Sequence, residues 1–554
     1  MSGLPQNMSN PAASTGNMGN KPAPSFAAVA ASSSSSSANP VDNPPPSSQQ
    51  QEEGGGDQST THPASQTPQP ISDDDAVWFQ LHFTPHSLAI PGLTSSQVAT
   101  ASQLVLTDVL ENHIKFDRER GYHNHFNHHL LASLTLGATT ARLKEIYEIH
   151  KRQETPSLEY NPQDKVTPGN LENFRSNDKY FPNWLVFYLN TIKGSGGDWQ
   201  HVLETYFFHP SLFACMMSGL VHPVIQVGYG AEFDSVGIVA QGLALGSIEK
   251  PTFAPLFTQD GELVGDSNYE PVVSRGLEAL NKGFQMFGIT HQSPWRSRIS
   301  GNRMLASTTI GSSLLDILNQ VRRDEKLTEI ARSAPKDKKF TEFLEKAGGP
   351  LSTYAAQWKV QPDPVAIKLK LREMYLVYTH LYNSTPKFDF FLMHAVTSSY
   401  FLPILLPLFS IRNQIRLLRA HWAVMLAIYV LVGSPEIKLT SMADPDDDDK
   451  NNREAESDER WTKLRRRAVT NNDMHLAKVI RSLQRGAIIT AFPLSIEEQI
   501  LLDQWQNQRG NEDNEYPWPP TPDWTSIAEH TADQLEDIKH FDSPTSGPWT
   551  RYIS

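Results

Sequence analysis

The part of the sequence richest in possible chemistry is a run of histidines in residues 121–131, GYHNHFNHHLL. His125 and His128 are three positions apart, and His125 and His129 are four apart. On a helix both spacings bring side chains to one face. Neutral imidazole is a common ligand of iron, zinc and copper, so two such rings form half of a metal site. The alternative is that these polar groups cap a helix start and contact water.

Two further histidines lie in segments that are otherwise apolar. His222 belongs to GLVHPVIQVGYGAEF, residues 219–233, and His394 belongs to DFFLMHAVTSSYF, residues 389–401. A buried imidazole must be hydrogen-bonded or bound to a ligand. Either ring alone is typical of a satisfied core residue, whereas two rings in separate apolar helices indicate that they meet.

A fourth candidate segment is DMHLAKVIR, residues 473–481. His475, Lys478 and Arg481 are spaced to share one helix face. A lysine beside imidazole ligands repels a cation unless the lysine is neutral through burial, carries a carboxylate on its nitrogen, or extends to solvent. Extension to solvent is the ordinary behaviour of lysine, and carboxylation would turn Lys478 into an anionic oxygen ligand.

Several familiar catalytic motifs are missing from the sequence. No Glu-x-x-His pair occurs, although ferritin-like di-iron sites need two, and there is no HExxH. The glycine-rich runs 194–197 and 228–230 lack the third glycine and the preceding strand of a dinucleotide fingerprint. No Gly-x-Ser-x-Gly elbow is present. The spacing therefore indicates no flavin or nicotinamide fold and identifies no cofactor-binding residue.

Composition excludes several classes of protein. The 554 residues include 61 acidic and 48 basic side chains, and the net charge of −13 disfavours a nucleic-acid binder. A single cysteine, Cys215, excludes a disulfide scaffold and a zinc ribbon, whereas 19 histidines leave imidazole chemistry open. Residues 1–75 are rich in Ser, Pro, Gln and Asn, with no arginine and no apolar run. They predict a disordered tail and a cytoplasmic protein.

Apolar residues at helical spacing recur along the rest of the chain, and alternating strand patterns are almost absent. This pattern predicts a mainly α protein with one large helical domain over residues 76–510. An acidic run predicts a disordered insertion over residues 441–470, and the Pro- and Trp-rich residues 511–554 predict a coil around the domain. The predicted helices cover residues 95–112, 127–150, 184–192, 199–208, 212–227, 236–245, 272–287, 314–320, 367–382, 390–408, 415–431 and 471–485.

Residues 390–411 and 422–432 are apolar enough to raise the question of a membrane span. The first of these segments contains His394, Pro403 and Pro407. Prolines break a spanning helix, and a histidine at mid-depth is costly in lipid. We therefore predict a helix hairpin in the protein core and no membrane span.

Aromatic side chains occur on the same helices as the histidines or on helices near them in sequence. Such a wall of rings suits a flat aromatic ligand, although most aromatics at helical spacing belong to the core. The residues concerned are Trp184, Tyr188, Tyr206, Phe207, Phe208, Tyr229, Tyr375, Tyr378, Phe390, Phe391, Tyr400 and Phe401.

Four motifs together carry a family resemblance. They are NHFNHHLLASLTLGA (124–138), HPVIQVGYGAEF (222–233), DFFLMHAVTSSYFLPILL (389–406) and HLAKVIRSL (475–483). Through these motifs, in this order, the domain over 76–510 resembles the questin oxidase-like family. That family includes fungal aromatic-polyketide pathway proteins, among them an aflatoxin-pathway member.

The resemblance implies an oxidoreductase of fungal secondary metabolism. It implies a Baeyer–Villiger-type oxidation that opens an anthraquinone- or xanthone-like polyketide, with dioxygen as co-substrate, NADPH as reductant and no evident flavin. One departure is Gln226, at a position where family members often have histidine. If that position takes part in the chemistry, the reaction of this chain is altered.

The histidines and the resemblance together give a hypothesis for the site. His128, His222, His394 and His475 surround one non-haem iron, with Lys478 adjacent. A metal is invoked because closed-shell side chains alone activate triplet oxygen poorly.

Other roles and functions stay open. Tyr229 or Arg481 would steady negative charge that develops on a carbonyl oxygen, and His125 and His129 are alternative metal ligands. A different class of function is a helical scaffold that binds and shields a reactive polyketide without turnover. A third is a metal-free oxygenase, in which a base such as His394 forms a substrate carbanion that meets oxygen.

Overall fold

The computed structural model describes residues 71, 73–266, 311–333, 339–385, 388–440, 450–508 and 518–535. The chain divides into two units, Met1–Ser65 and Gln66–Ser554, and all described residues belong to the second. The predicted disordered tail lies outside the described residues as far as residue 70. A 3-10 turn over Asp73–Phe79 follows the buried Ile71, so the described residues include a turn that starts before the predicted boundary at residue 76.

Within these residues the protein is mainly α, as the sequence predicts. Each predicted helix overlaps an observed one, except the segment 272–287, which lies outside the described residues. The helices are α1 Ser95–Glu111, α2 Phe126–Thr135, α3 Thr140–Lys151, α4 Leu171–Phe174, α5 Phe181–Gly194, α6 Trp199–Phe207, α7 Phe213–Met216, α8 His222–Glu232, α9 Val236–Ile248, α10 Leu314–Arg323, α11 Glu325–Ser333, α12 Lys339–Ala356, α13 Pro364–Asn383, α14 Phe390–Ser399, α15 Leu402–Leu405, α16 Ile411–Leu431, α17 Lys450–Thr470, α18 Leu476–Ala491, α19 Ile496–Gln508 and α20 Trp524–Leu535.

A short antiparallel hairpin is the one sheet in the described part of the chain. It pairs β1, Lys115–Asp117, with β2, Tyr122–His123, so that Lys115 lies opposite His123. The hairpin leads directly into α2 and so fixes where the histidine-rich run enters the protein.

The core contains a close contact between α8 and α9. A Cβ atom at Gly230 of α8 would lie 2.5 Å from the main-chain nitrogen of Val239. One at Gly242 of α9 would lie 2.6 Å from that of Val227. Glycine at both positions lets the two backbones approach. This contact holds α8, whose first residue is His222, inside the protein.

The structure differs from the predicted disordered insertion over 441–470. Residues 441–449 lie outside the described residues, but Lys450–Thr470 forms α17. One face of α17 is apolar, and Trp461, Leu464 and Ala468 on it are buried.

The predicted coil over 511–554 likewise contains a helix, α20, while residues 511–517 and 536–554 lie outside the described residues. Arg460 and Arg467 of α17 form ion pairs of 2.7 Å with Glu529 and Asp533 of α20. Some charged residues of this region therefore form ion pairs between two helices. The density of charge in the sequence did not indicate these pairs.

Two stretches in the described ranges are long and apolar enough to cross a membrane, Phe390–Leu408 and Ile411–Leu431. In the most apolar 18-residue window of each stretch, 78% of the first and 94% of the second are buried inside the protein. Burial of this extent is typical of core helices, and it agrees with the predicted helix hairpin.

Candidate functional site

The site begins at the junction between the β1–β2 hairpin and α2. The side chain of Asn124 accepts a hydrogen bond from the main-chain nitrogen of Phe126 (2.7 Å) and donates one to Asp108 (3.1 Å). These contacts fix the start of α2. His125 and His128 are both buried, with ring centroids 5.6 Å apart. Their spacing therefore brings them together, as predicted.

A left-handed turn positions the next histidine. Gly219, Leu220 and Val221 have φ angles of +57°, +51° and +55°, which is a costly conformation for a leucine and more so for a β-branched valine. The turn ends at His222, whose Nδ1 donates to the carbonyl oxygen of Gly219 at 2.6 Å. The Nε2 atom of His222 lies 3.0 Å from that of His125. Backbone strain kept directly before His222 points to a functional need for its orientation.

Two more histidines come from α14 and from the start of α18. The ring of His394 lies 5.0 Å from that of His222, and the ring of His475 lies 5.1 Å from that of His125. Phe390 contacts both rings, with centroid distances of 4.9 Å to His394 and 5.5 Å to His475. The five rings form the histidine cluster: His125, His128, His222, His394 and His475.

Hydrogen bonds to the main chain fix the tautomers of three of these rings. The Nδ1 atoms of His125, His222 and His394 each donate to a main-chain carbonyl oxygen, at 2.6, 2.6 and 2.8 Å. Each Nε2 atom therefore carries a lone pair. Those of His125 and His222 face each other, and that of His394 has no hydrogen-bond partner among the described residues.

His128 presents its lone pair through the other nitrogen. Its Nε2 donates to Oε1 of Gln226 at 2.9 Å, which leaves Nδ1 as the acceptor. No described residue makes a hydrogen bond to this Nδ1 atom. The amide of Gln226 donates in turn to Gln241 at 3.3 Å, so a chain of amides sets the orientation of His128.

Burial keeps the cluster neutral. It is the largest cause that lowers the pKa of all five rings, and the nearby charge of Lys478 lowers each pKa further. The pKa of His475 falls to about 4. Neutral imidazole is the form that binds metal ions.

Lys478 lies beside the cluster, one turn after His475 in α18. It is 3% exposed, so the ordinary expectation that it extends to solvent is wrong. Burial lowers the pKa of Lys478 to about 7, although the carboxylate of Asp473 acts in the opposite direction. Near neutral pH its nitrogen therefore exists both as ammonium and as free amine.

The donor atoms fit a metal ion. His125, His128 and His222 each offer one ligand atom, and these atoms lie within 4.8 Å of one another. With both Nδ1 protons donated to carbonyl oxygens, the Nε2 atoms of His125 and His222 face each other at 3.0 Å, where a metal ion or a shared proton would join them. His394 and His475 border this group.

The two alternative metal ligands at the start of α2, His125 and His129, lie in different surroundings. His125 lies at the centre of the cluster. His129 makes its ring contact with His150 instead, and its Nδ1 lies 3.1 Å from Nε2 of that residue.

Side chains behind the cluster hold His222 in place. His123 stacks on His222 with centroids 4.1 Å apart. Glu249 contacts Nε2 of His123 at 3.1 Å and Nζ of Lys115 at 2.6 Å. Burial alone would raise the pKa of Glu249, but His123 and Lys115 outweigh it and lower the pKa to about 2. The ionised carboxylate orients His123, and His123 supports His222.

Asp473 performs a similar task for His475. Its carboxylate accepts hydrogen bonds from the main-chain nitrogens of His475 (2.8 Å) and Leu476 (3.0 Å), and so caps α18. The same oxygen lies 3.6 Å from Nδ1 of His475. The start of α18 therefore brings His475 to the cluster with a buried negative charge beside it.

Comparison with known families decides where this chain belongs. Residues 122–483 match the family model described as questin oxidase-like. This range contains the whole histidine cluster and Lys478. The chain belongs to the questin oxidase-like family.

Curated relatives of this questin oxidase-like chain carry the names of oxidases. A Baeyer-Villiger oxidase of Pestalotiopsis microspora is 26% identical over 471 residues, which cover 79% of this chain and 93% of that protein. A questin oxidase of Aspergillus fumigatus is 27% identical over 70% of this chain and 81% of its own length. A Baeyer-Villiger monooxygenase of Aspergillus aculeatus is 24% identical over 73% and 81%. The chain is therefore an oxidoreductase.

Of the two predicted catalytic residues of this oxidoreductase, Tyr229 contacts a ring of the cluster and Arg481 contacts Tyr229. Tyr229 stacks on His128 at 5.2 Å, and its hydroxyl donates to the carbonyl oxygen of that residue at 3.1 Å. Arg481 forms an ion pair with the buried Glu232, which also accepts a hydrogen bond from Tyr400 at 2.7 Å. The guanidinium lies 5.6 Å from the ring of Tyr229. The catalytic roles of Tyr229 and Arg481 stay predictions.

Two supporting residues were not predicted from the sequence. His123 belongs to the same histidine run, but it lies in a strand, where helical spacing does not apply. Glu249 directly follows α9 and has no spacing relation to any histidine. The signal that could have found Glu249 is a charged residue at the end of a helix that is otherwise apolar.

An open cavity of about 570 Å³ lies away from the cluster rings. Its lining comes from residues 80–102 and includes no member of the histidine cluster. Thr84 and Ser87 in its wall donate to the carbonyl oxygen of Glu232, at 3.0 and 2.8 Å. The cavity wall is thus tied to the residue that pairs with Arg481.

Proposed function

We propose that this chain catalyses an oxygen-dependent, Baeyer–Villiger-type oxidation that opens a ring of an anthraquinone- or xanthone-like polyketide in fungal secondary metabolism. The proposal includes a non-haem iron held by the histidine cluster, NADPH as the reductant and a cytoplasmic location. The observation that carries it is the buried cluster of neutral imidazoles, three of which offer ligand atoms that lie within 4.8 Å of one another.

The names of the relatives support the reaction class. Proteins similar to this chain over most of its length are named Baeyer-Villiger oxidases and questin oxidases. In such a reaction one oxygen atom is inserted between a carbonyl carbon and its neighbour. The other atom is reduced to water with two electrons from NADPH and two protons, one from NADPH and one from solvent. A buried site for this reaction must therefore bind oxygen, exclude bulk water and admit protons.

The residues present can meet these needs. Bound iron would supply the one-electron chemistry through which triplet oxygen reacts with a closed-shell substrate. His128, His222, His394 and His475, with His125, would hold it, since carbonyl and amide contacts already fix four of their lone pairs inward. Burial of all five rings excludes water.

Charge near the cluster can assist the reacting carbonyl. The nitrogen of Lys478 can hold or release a proton near neutral pH, because burial lowers its pKa to about 7. If Lys478 instead carries a carboxylate, it becomes an anionic ligand. Tyr229, which stacks on His128, or Arg481, which contacts the ring of Tyr229 and is paired with Glu232, would stabilise negative charge on the substrate oxygen.

The test is turnover with the purified protein, a hydroxyanthraquinone, oxygen and NADPH. We expect oxygen uptake, NADPH oxidation and a ring-opened product, all lost after iron is removed by a chelator and restored by iron(II). His222→Ala should abolish turnover, whereas His380→Gln, a buried histidine outside the cluster, should retain it. Full activity of the iron-free protein would contradict the metal site and favour the metal-free mechanism.

A further inference from the structure

A second line of buried histidines leads away from the cluster. Nδ1 of His129 lies 3.1 Å from Nε2 of His150 in α3. On the opposite side of the His150 ring, Nδ1 lies 3.6 Å from a carboxylate oxygen of Glu154. The side chains of His150 and Glu154 are each 3% exposed, and His129 is fully buried. The His150 imidazole therefore has one nitrogen toward each of its two neighbours, an arrangement that can pass protons.

The two ends of this line lie in different surroundings. Nε2 of His129 has no hydrogen-bond partner in the described ranges, and the charges of Lys478 and His475 act on this ring. At the other end Glu154 follows α3 in the chain and is half-buried as a residue, although its carboxyl group is covered. The line thus runs from a covered carboxyl group to the residue that directly follows His128 in α2.

We propose that Glu154, His150 and His129 conduct protons from the surface to the histidine cluster. The inference rests on the proposed function, because reduction of one oxygen atom to water consumes protons in a site that excludes solvent. The proposal makes Glu154 the proton donor of the path, and no metal ligand is assigned to it.

Each transfer along the path conserves protons. The carboxyl proton of Glu154 passes to Nδ1 of His150 while Nε2 of the same ring gives its proton to Nδ1 of His129. The proton on Nε2 of His129 leaves toward the cluster, so each ring holds one proton before and after the step. Glu154 then takes a proton from solvent, and the rings reorient to return to their first tautomers, because transfer back along the same contacts would reverse the step. The first transfer requires the 3.6 Å contact between Glu154 and His150 to shorten to hydrogen-bond length.

The charges around this line favour a neutral resting state. Burial raises the pKa of Glu154 to about 8. Burial, with the charge of Glu154, raises the pKa of Asp108 on α1 to about 7. Burial lowers the pKa of His150 to about 4; Asp108 opposes this and Lys478 on α18 adds to it. Glu154 therefore holds its proton at neutral pH, as a donor must.

The first experiment examines the resting, iron-free protein and needs no turnover. Infrared spectra at pH 7 should contain the carbonyl band of a buried protonated carboxyl group, shifted in heavy water and lost in Glu154→Gln. Asp108→Asn identifies any band that belongs to its neighbour. If the spectra of the wild type and of Glu154→Gln do not differ by such a band, Glu154 is ionised in the wild type and the proposal is overturned.

The second experiment measures turnover in Glu154→Gln and His150→Gln with iron bound. We expect the rate to fall on the order of 100-fold, the low end of what a positioned acid contributes. The wild-type rate should decline above about pH 8 as Glu154 ionises, and Glu154→Gln should lack this decline. Iron content should stay at the wild-type level, which separates proton supply from metal binding.

Glu111→Gln is the matched control, because this carboxylate lies at the end of α1 and contacts Lys151 at 2.9 Å outside the proposed path. It should leave the rate and the pH profile unchanged. Wild-type rate and pH profile in Glu154→Gln would overturn the path and leave the proposed function intact. A wild-type protein without oxygen uptake would overturn both, because the path would then have no reaction to supply.

Discussion

At the scale of single residues, the chemistry of the cluster depends on which nitrogen of each ring lacks a proton. Gln226 sets the tautomer of His128, because its carbonyl oxygen accepts a hydrogen bond from the Nε2–H group. We expect Gln226→Leu to weaken metal affinity about 10- to 100-fold, the usual cost of losing an outer hydrogen bond to a ligand. Gln226→Glu keeps an acceptor and should lose less. Competition with a chelator measures both affinities, and an unchanged affinity in the leucine variant would refute this role.

Lys478 gives a residue-scale prediction about pH. Its pKa falls from 10.5 to about 7 in the folded protein, so the unfolded chain binds more protons between these values. Relative to Lys478→Met, the metal-free wild type should lose stability as pH falls from about 10 to about 7, at about 1.4 kcal/mol per pH unit. Below pH 7 the difference should be constant. Urea unfolding at several pH values measures it, and parallel pH profiles would contradict a buried lysine.

Part of the site could be predicted from residue types and their sequence context, and the rest depends on contacts formed in the fold. His222 and His394 could be found because imidazoles in apolar segments need partners. His125 could be ranked only as an alternative to His128, since spacing does not tell which ring on one face lies deeper. His123 was missed because its contact with His222 joins a strand to a helix across the fold. The sequence could therefore predict that these histidines meet, but not which histidines of residues 121–131 lie in the cluster and which support it.

At the scale of elements, the left-handed turn before α8 is the feature on which the position of His222 depends. Gly219 has φ of +57°, and an added Cβ would lie 3.0 Å from the side chains of Glu249 and His123. We expect Gly219→Ala to destabilise the protein by about 1 to 3 kcal/mol and to weaken metal binding as His222 shifts. Gly194→Ala, where a Cβ would meet nothing within 4 Å, is the control. Equal melting temperatures and metal affinities in the two variants would refute the claim that this turn positions His222.

Helical periodicity was a reliable guide to elements, whereas charge density was not. A dense acidic run suggested disorder for the segment that contains α17, yet this helix buries Trp461 and pairs Arg460 and Arg467 with α20. Such pairing depends on a helix more than 50 residues further along the chain. Sequence patterns read locally cannot contain this information.

At the scale of the whole molecule, a bound metal would join α2, α8, α14 and α18, which lie far apart in the chain. Binding to the folded state alone adds about 2.7 kcal/mol when free metal is at 100 times the dissociation constant. We expect a chelator to lower the melting temperature of the wild type and to leave that of His222→Ala unchanged. Calorimetric scans of both proteins, with and without iron(II), measure this. An equal effect of the chelator on both would mean that the cluster does not bind the metal.

The central claim is that the histidine cluster holds an iron ion, and elemental analysis of the purified protein tests it most directly. We predict about one iron per chain, in line with one cluster of converging lone pairs, and its loss in His222→Ala but not in His380→Gln. Protein that turns over its substrate while free of stoichiometric transition metal would contradict the account.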